Sequence, residues 1–193
     1  LTSSCDKAIP AHLMAAARFD MPTIHVPGGT MSPGKGGLTL EKIGTYAAQL
    51  ERGEITEEEF IEYQNEACPN CGSCQFMGTA NTMQVVAEAL GLALPGSALA
   101  PTKDDVLDQF AEQAGEKVLD LIEADIKPSN ILTKEAFENA ITLHAAVAGS
   151  TNALLHIPAI AHEAGIEIKP ELFDEIHRRT PYLANVIPSG EYA

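Results

Sequence analysis

A chain of 193 residues is long enough for one sizeable domain and short for two. Hydrophobic residues at 45% and charged residues at 20% make an ordinary globular composition, which excludes a disordered or fibrous chain. The 12 basic against 27 acidic residues give a net charge of −15, which repels phosphate backbones and argues against nucleic acid as a partner. An anionic small molecule stays possible, because a bound metal ion can reverse the local field.

In chain order, Pro10–Phe19 is Ala-rich and predicts a helix with Pro10 in its first turn. The β-branched stretch Pro22–Val26 predicts a short buried strand, followed by a glycine-rich loop from Pro27 to Gly37. Leu40–Leu50 predicts an amphipathic helix, and Thr56 with Glu59 forms a capping box that opens another to about Glu66. After a cysteine-rich loop, Thr79–Leu90 predicts a helix closed by Gly91. Thr102 with Asp105 is expected to open a long acidic helix reaching Ala124. Further helices are predicted from Thr133 to Ala148, from Ala153 to Ala164 and from Pro170 to Arg178, with Ile166-Glu167-Ile168 as a second short strand. Helices outnumber strands, so the expected fold is α/β, with helix-rich layers around a small, mostly parallel sheet.

No run approaches 18 consecutive apolar residues, so no membrane span is expected. The start, LTSSCDK, has neither an initiator Met nor the layout of a signal peptide, and both ends are expected to be cut. The cysteine usage fits a reducing compartment, cytosol or organellar matrix, and a cytoplasmic location is the expectation taken.

Two constellations could carry chemistry. Cys5-Asp6-Lys7 sets a soft thiol beside a hard carboxylate and an amine, suited to a cluster and a hard cation held close together. It can equally be a partly buried Cys beside a surface ion pair. Cys68, Cys71 and Cys74 form a C-x2-C-x2-C loop, the first part of a ferredoxin cluster loop without its fourth Cys. Three thiols in seven residues point to metal, cluster or redox chemistry, and the remaining Cys5 is 69 positions from Cys74. His12, His144, His156 and His162 fall in helical stretches and read as core or surface imidazoles, and His177 beside two arginines reads as solvated. His25, before the glycine loop, is the one histidine ranked as a site neighbour. Gly149-Ser150-Thr151-Asn152 fits either an anion-binding helix start or a simple helix break.

Taken together, these stretches resemble the dihydroxy-acid dehydratase / 6-phosphogluconate dehydratase family. The matching segments run in family order: Cys5-Asp6-Lys7-Ala8-Ile9-Pro10, Gly28-Gly29-Thr30-Met31, Cys71-Gly72-Ser73-Cys74 and Met77-Gly78-Thr79-Ala80-Asn81-Thr82-Met83. Leu94-Pro95-Gly96, Ala136-Phe137-Glu138-Asn139-Ala140 and Gly149-Ser150-Thr151-Asn152-Ala153 with Leu155-His156 follow. The resemblance implies a hydro-lyase that removes water from a 2,3-dihydroxy carboxylate to give a 2-keto acid, in branched-chain amino acid biosynthesis. It implies Cys5 and Cys74 as ligands of an iron–sulfur cluster (2Fe-2S or 4Fe-4S), and Asp6 with Lys7, the latter as its carbamate, as ligands of Mg²⁺. Cys68 and Cys71 match no required ligand.

By the same resemblance, residues 1–193 are part of an N-terminal cluster- and Mg-binding α/β domain. The C-terminal β-barrel-type domain with the catalytic serine is absent, and the chain alone is expected to be inactive. The full-length parent is expected to be a homo-oligomer acting on a small-molecule dihydroxy acid. Met77-Gly78-Thr79-Ala80 and Ala11 also suit the branch that dehydrates sugar acids (aldonates or phosphogluconate). From a different class, the cysteine loop alone would suit a ferredoxin-like or zinc-binding module.

Overall fold

Ile9, Leu13 and Ala16 lie on one face of a helix, and all three are buried in a segment folded as α1, Ala8–Phe19. The same pattern recurs in α4 (Thr79–Ala89) with Met83, Val86 and Ala87, and in α7 (Lys134–Ala146) with Phe137, Ala140 and Ile141. It recurs in α8 (Ala153–Glu163) with Ile157 and Ile160, and in α9 (Pro170–Arg179) with Phe173 and Ile176. These side chains form one continuous apolar cluster, in which α4 packs on α1 and α7, and α8 on α1. Burying each large apolar side chain contributes about 1.5–3 kcal/mol, so this five-helix core holds the domain together.

The structure is a computed structural model describing residues 1–103 and 105–192. Two strands, β1 (Thr2–Ser3) and β2 (Val26–Pro27), pair in parallel in the register Thr2 to Val26 and Ser3 to Pro27. Around the core lie α2 (Ile43–Glu51), α3 (Glu57–Glu66), α5 (Val106–Glu123) and the short α6 (Pro128–Ile131). Helices α2 and α3 pair outside the core through stacked Tyr46 and Tyr63, with ring centroids 4.1 Å apart. The helix-rich α/β architecture expected from the sequence is therefore present. Among the described residues no helix is long and apolar enough to cross a membrane.

Local expectations divide instructively. The capping box is formed: the Thr56 amide donates to Glu59 at 2.8 Å and the Glu59 amide to the Thr56 hydroxyl at 3.2 Å. The strand expected over Pro22–Val26 shrinks to Val26–Pro27, whose ladder partner is the two-residue β1, and His25 adds an isolated bridge to Ala93. Ile166-Glu167-Ile168 is not a strand; it is a connector whose Ile168 plugs the helical core. Thr102 does not cap α5, since its hydroxyl is committed to the carbonyl of Cys71, and Asp105 at the N-cap position makes no capping bond. Asp104, inside that expected helix opening, and Ala193, at the end expected to be cut, lie outside the described residues.

Candidate functional site

Three connections that precede helices meet at one cavity of about 780 Å³. Ser4, Cys5 and Asp6 come from the link between β1 and α1, and Gly72, Ser73 and Cys74 from the cysteine loop before α4. Gly149, Ser150 and Thr151 come from the turn before α8. Cys5 and Cys74, 69 positions apart in the chain, thus line the same space. Cys5 is exposed and Cys74 half-buried.

Burial raises the Cys74 thiol above its ordinary value, and the neighbouring Cys5, Cys68 and Asp6 push it the same way. Among the described residues, Asp6 is the one carboxylate on the lining, and no Lys or Arg is found there. Lys7 stands outside the lining, 70% exposed, with Nζ 3.8 Å from the Asp6 carboxylate. As a surface ion pair it contributes little.

A buried polar network holds the cysteine loop. The Asn81 amide donates to the carbonyls of Cys74 and Phe76, both at 2.9 Å. Its oxygen accepts from the hydroxyls of Ser73 at 2.6 Å and Thr30 at 2.9 Å, and from the Gln84 amide at 2.8 Å. Gly72 adopts φ +124°, and a Cβ there would come within 2.7 Å of the Met31 amide nitrogen. Only glycine lets the loop lie against residues 29–31 in this way. The turn before α8 is tied to the same helix α4, with the Ser150 backbone amide donating to the Thr82 hydroxyl at 2.9 Å and the Asn152 side-chain amide to the Thr79 hydroxyl at 2.7 Å.

The site residues expected from sequence fall into place unevenly. Cys5, Asp6 and Cys74 share the cavity, and Lys7 touches it only through Asp6. The spacing argument for three converging loop thiols is not met: among the described residues no group of three or more His, Cys, Asp or Glu side chains stands ready to hold a metal ion. Cys68 and Cys71 are exposed and off the lining.

His25 is not on the lining either. It is 1% exposed and bonded to the Ser3 hydroxyl at 2.9 Å, behind the Cys5 segment. His177, read as solvated, is partly buried and hydrogen-bonded to His144 at 3.1 Å. His156 is held below its ordinary value by burial, with Lys7 adding to the effect and Asp6 opposing it, so it neighbours the Cys5-Asp6-Lys7 segment. Sequence reasoning missed Asn81, Gln84 and His156 as parts of this region. Only the family-like runs containing Asn81 and His156 pointed there, because a buried amide carries no spacing signal.

Two thiols and one carboxylate are soft and hard donors of the kind that an iron–sulfur cluster and a magnesium ion require. They fit as part of a ligand set, since no three of them converge.

Comparison with known proteins bears on the same residues. The family model described as "Dihydroxy-acid/6-phosphogluconate dehydratase N-terminal" matches residues 1–193. The chain is 48% identical over 195 residues to a protein named dihydroxy-acid dehydratase from Caldanaerobacter subterraneus subsp. tengcongensis, covering 100% of the chain and 35% of that relative. It is 45% identical over 199 residues to one of the same name from Caldicellulosiruptor saccharolyticus, with the same coverage. It is 47% identical over 200 residues to one from Thermodesulfovibrio yellowstonii, covering 100% of the chain and 36% of the relative. The chain spans about a third of the length of the curated relatives it matches.

Proposed function

The chain belongs to the dihydroxy-acid/6-phosphogluconate dehydratase family, in its N-terminal part, and we propose that the protein carrying it is a hydro-lyase that converts a 2,3-dihydroxy carboxylate to a 2-keto acid. The observation that carries this reading is the single cavity in which Cys5-Asp6 and Cys74 meet. The relatives' name favours a dihydroxy acid over a sugar acid, and the family resemblance extends this reading to branched-chain amino acid biosynthesis in the cytoplasm. A volume of about 780 Å³ suits a small organic acid with its metal groups.

Cys5 and Cys74 are assigned to an iron–sulfur cluster, and Asp6 with Lys7 to Mg²⁺. Lys7 needs to be carbamylated for this, because an ammonium has no lone pair for a metal whereas a carbamate offers an anionic oxygen. Bound there, the two groups would supply Lewis acidity toward the departing hydroxyl and toward the carboxylate and C2 hydroxyl oxygens, which would acidify the C2 proton. The chain's own residues bind and orient. The first-turn amides of Thr79 and Ala80 in α4 lie on the lining without a hydrogen-bond partner among the described residues, and there they favour a carboxylate. Ser150 and Thr151 add hydroxyls that can pair with those of the substrate. The base that takes the C2 proton and the rest of the ligand set are assigned to the part of the relatives that this chain does not cover, and the full-length protein is read as a homo-oligomer.

The test is anaerobic reconstitution of the full-length protein with iron, sulfide and Mg²⁺, scoring visible absorption and 2-keto acid formation. Cys74→Ser is expected to lose both and Cys68→Ser to keep most of both; equal loss would favour a ferredoxin-like loop instead. Lys7→Arg is expected to abolish Mg²⁺ binding, since a guanidinium stays charged and forms no carbamate. Retained Mg²⁺ binding would remove Lys7 from the ligand set.

A further inference from the structure

The turn Gly149–Asn152 is held from behind by two imidazoles that the proposed chemistry does not use. His144, in the last turn of α7, is 3% exposed, and its Nε2 lies 3.0 Å from the carbonyl oxygen of Ser150. A carbonyl only accepts, so Nε2 carries the proton and donates it. Nδ1 is then a bare acceptor, and it faces Nε2 of His177 at 3.1 Å, which must be the donor. The rings stack with centroids 5.1 Å apart, and Phe173 meets His177 edge-on at 6.2 Å. Burial keeps His144 below the usual histidine range, so the neutral relay is its resting state at neutral pH.

The turn is shaped to this imidazole. A Cβ on Gly149 would come within 2.5 Å of His144 Cδ2. On its other side the turn is fixed to α4, through the Ser150 amide to Thr82 at 2.9 Å and the Ser150 hydroxyl beside Thr79 at 3.1 Å. Gly149 and Thr151 divide the candidate site from a second cavity of about 610 Å³ that His144 and His177 line. His144 therefore acts on the site only through the backbone it holds.

We propose that His144, its tautomer set by His177, is a positioning residue that clamps the Ser150 carbonyl and so fixes the Ser150–Thr151 wall against which the small hydroxy acid binds. The clamp is read from the hydrogen bonds; the identity of the ligand rests on the function proposed above.

The experiment uses the full-length protein. His144→Leu keeps the bulk and removes both bonds, whereas His144→Gln keeps a donor for Ser150 and an acceptor for His177. The Leu variant is expected to raise KM for the dihydroxy acid about tenfold, with kcat and iron content within about twofold of the parent, and the Gln variant to recover most of the loss. Equal KM values in the parent and both variants would overturn the proposal. If the Leu variant does not fold, His177→Phe takes its place: it keeps the stacking, removes the donor, and is expected to raise KM about threefold. An unchanged KM there would count against the relay.

A second readout needs no turnover. Imidazole nitrogen spectra should show His144 as the Nε2–H tautomer, and amide exchange in Ser150–Asn152 should quicken in the Leu but not the Gln variant. An Nδ1–H tautomer, or exchange unmoved by both, would overturn the clamp. Absence of any 2-keto acid from the parent protein alongside the expected spectra would refute the proposed reaction and leave the clamp standing.

Discussion

Asn81 offers the sharpest test of how the cysteine loop is held, because one side-chain amide makes five hydrogen bonds. It donates to the Cys74 and Phe76 carbonyls and accepts from Ser73, Thr30 and Gln84. Ser73 is 6% exposed and Gln84 fully buried, so water does not readily replace these bonds. Ser73 keeps an alternative acceptor in the Gly29 carbonyl, and Gln84 still reaches the Ser73 hydroxyl at 2.9 Å. The Phe76 carbonyl keeps the Gly78 amide at 2.7 Å, whereas the Cys74 carbonyl has no other donor among the described residues.

Replacing Asn81 with Leu, similar in size and apolar, therefore strands the Cys74 carbonyl and weakens the Phe76 carbonyl and three donors. At about 1–3 kcal/mol per stranded buried group, the loss is expected to be about 2–4 kcal/mol. Asn81→Asp keeps the acceptor and turns only the two donating positions into an oxygen facing two carbonyl oxygens, so about 2–3 kcal/mol is expected. Urea unfolding followed by circular dichroism gives both numbers, and the alkylation rate of Cys74 reports the loop directly. The Leu variant should also expose the half-buried Cys74 to alkylation while leaving Cys5 unchanged. A loss under about 1 kcal/mol with unaltered Cys74 reactivity would mean that the loop is held by its backbone contacts to residues 29–31 and not by the amide.

Acid stability should depend on His25, whose pKa is lowered to about 4, chiefly by burial and then by the chain's amino terminus and His12. The unfolded chain binds this proton near pH 6.5 and the folded one does not, so up to about 3 kcal/mol present above pH 6.5 is lost as pH falls toward 4. His25→Phe should flatten that part of the stability curve, and an unchanged slope would assign it to another group. Gly72→Ala forces a Cβ within 2.7 Å of the Met31 nitrogen at φ +124°, and thermal unfolding should register a loss of about 2 kcal/mol or more. A melting temperature equal to the parent's would show that the loop can move away from Met31.

What the sequence made legible was whatever depends on neighbours in the chain. Helix α3 begins where Thr56 and Glu59 place it, and the apolar periods of α1, α7, α8 and α9 mark their buried faces. What it hid depends on partners distant in sequence. Thr102 looks like a cap until Cys71 claims its hydroxyl, and His177 looks solvated beside Arg178 and Arg179 until α9 lays it on His144. Ile166 and Ile168 have strand-forming side chains but no strand to pair with, so burial alone decides their place. For the site, spacing pointed to three loop thiols, while the likeness of scattered runs to a family pointed to Cys5 with Cys74. The shared cavity supports the second reading, since it joins those two thiols across 69 positions and leaves Cys68 and Cys71 outside.

The charge of the molecule and the charge of its cavity point in the same direction. At −15 overall, the surface repels a carboxylate, and among the described residues the cavity adds Asp6 with no Lys or Arg on its lining. The organic-acid site proposed above needs positive potential from elsewhere, and helix geometry supplies little of it. Among the described residues α4 brings unpartnered first-turn amides to the lining, at Thr79 and Ala80. The amino end of α1 holds Pro10, which has no N–H, and an Ile9 amide already bonded to the Cys5 carbonyl, and the first amides of α8 bond the carbonyls of Ser150, Thr151 and Asn152. One helix end favours an anion by about 0.3–1 kcal/mol, too little to offset Asp6 and a second carboxylate beside it. The proposed binding of a substrate carboxylate beside Asp6 therefore calls for a further positive charge there, and the proposed divalent cation at Asp6 would supply it.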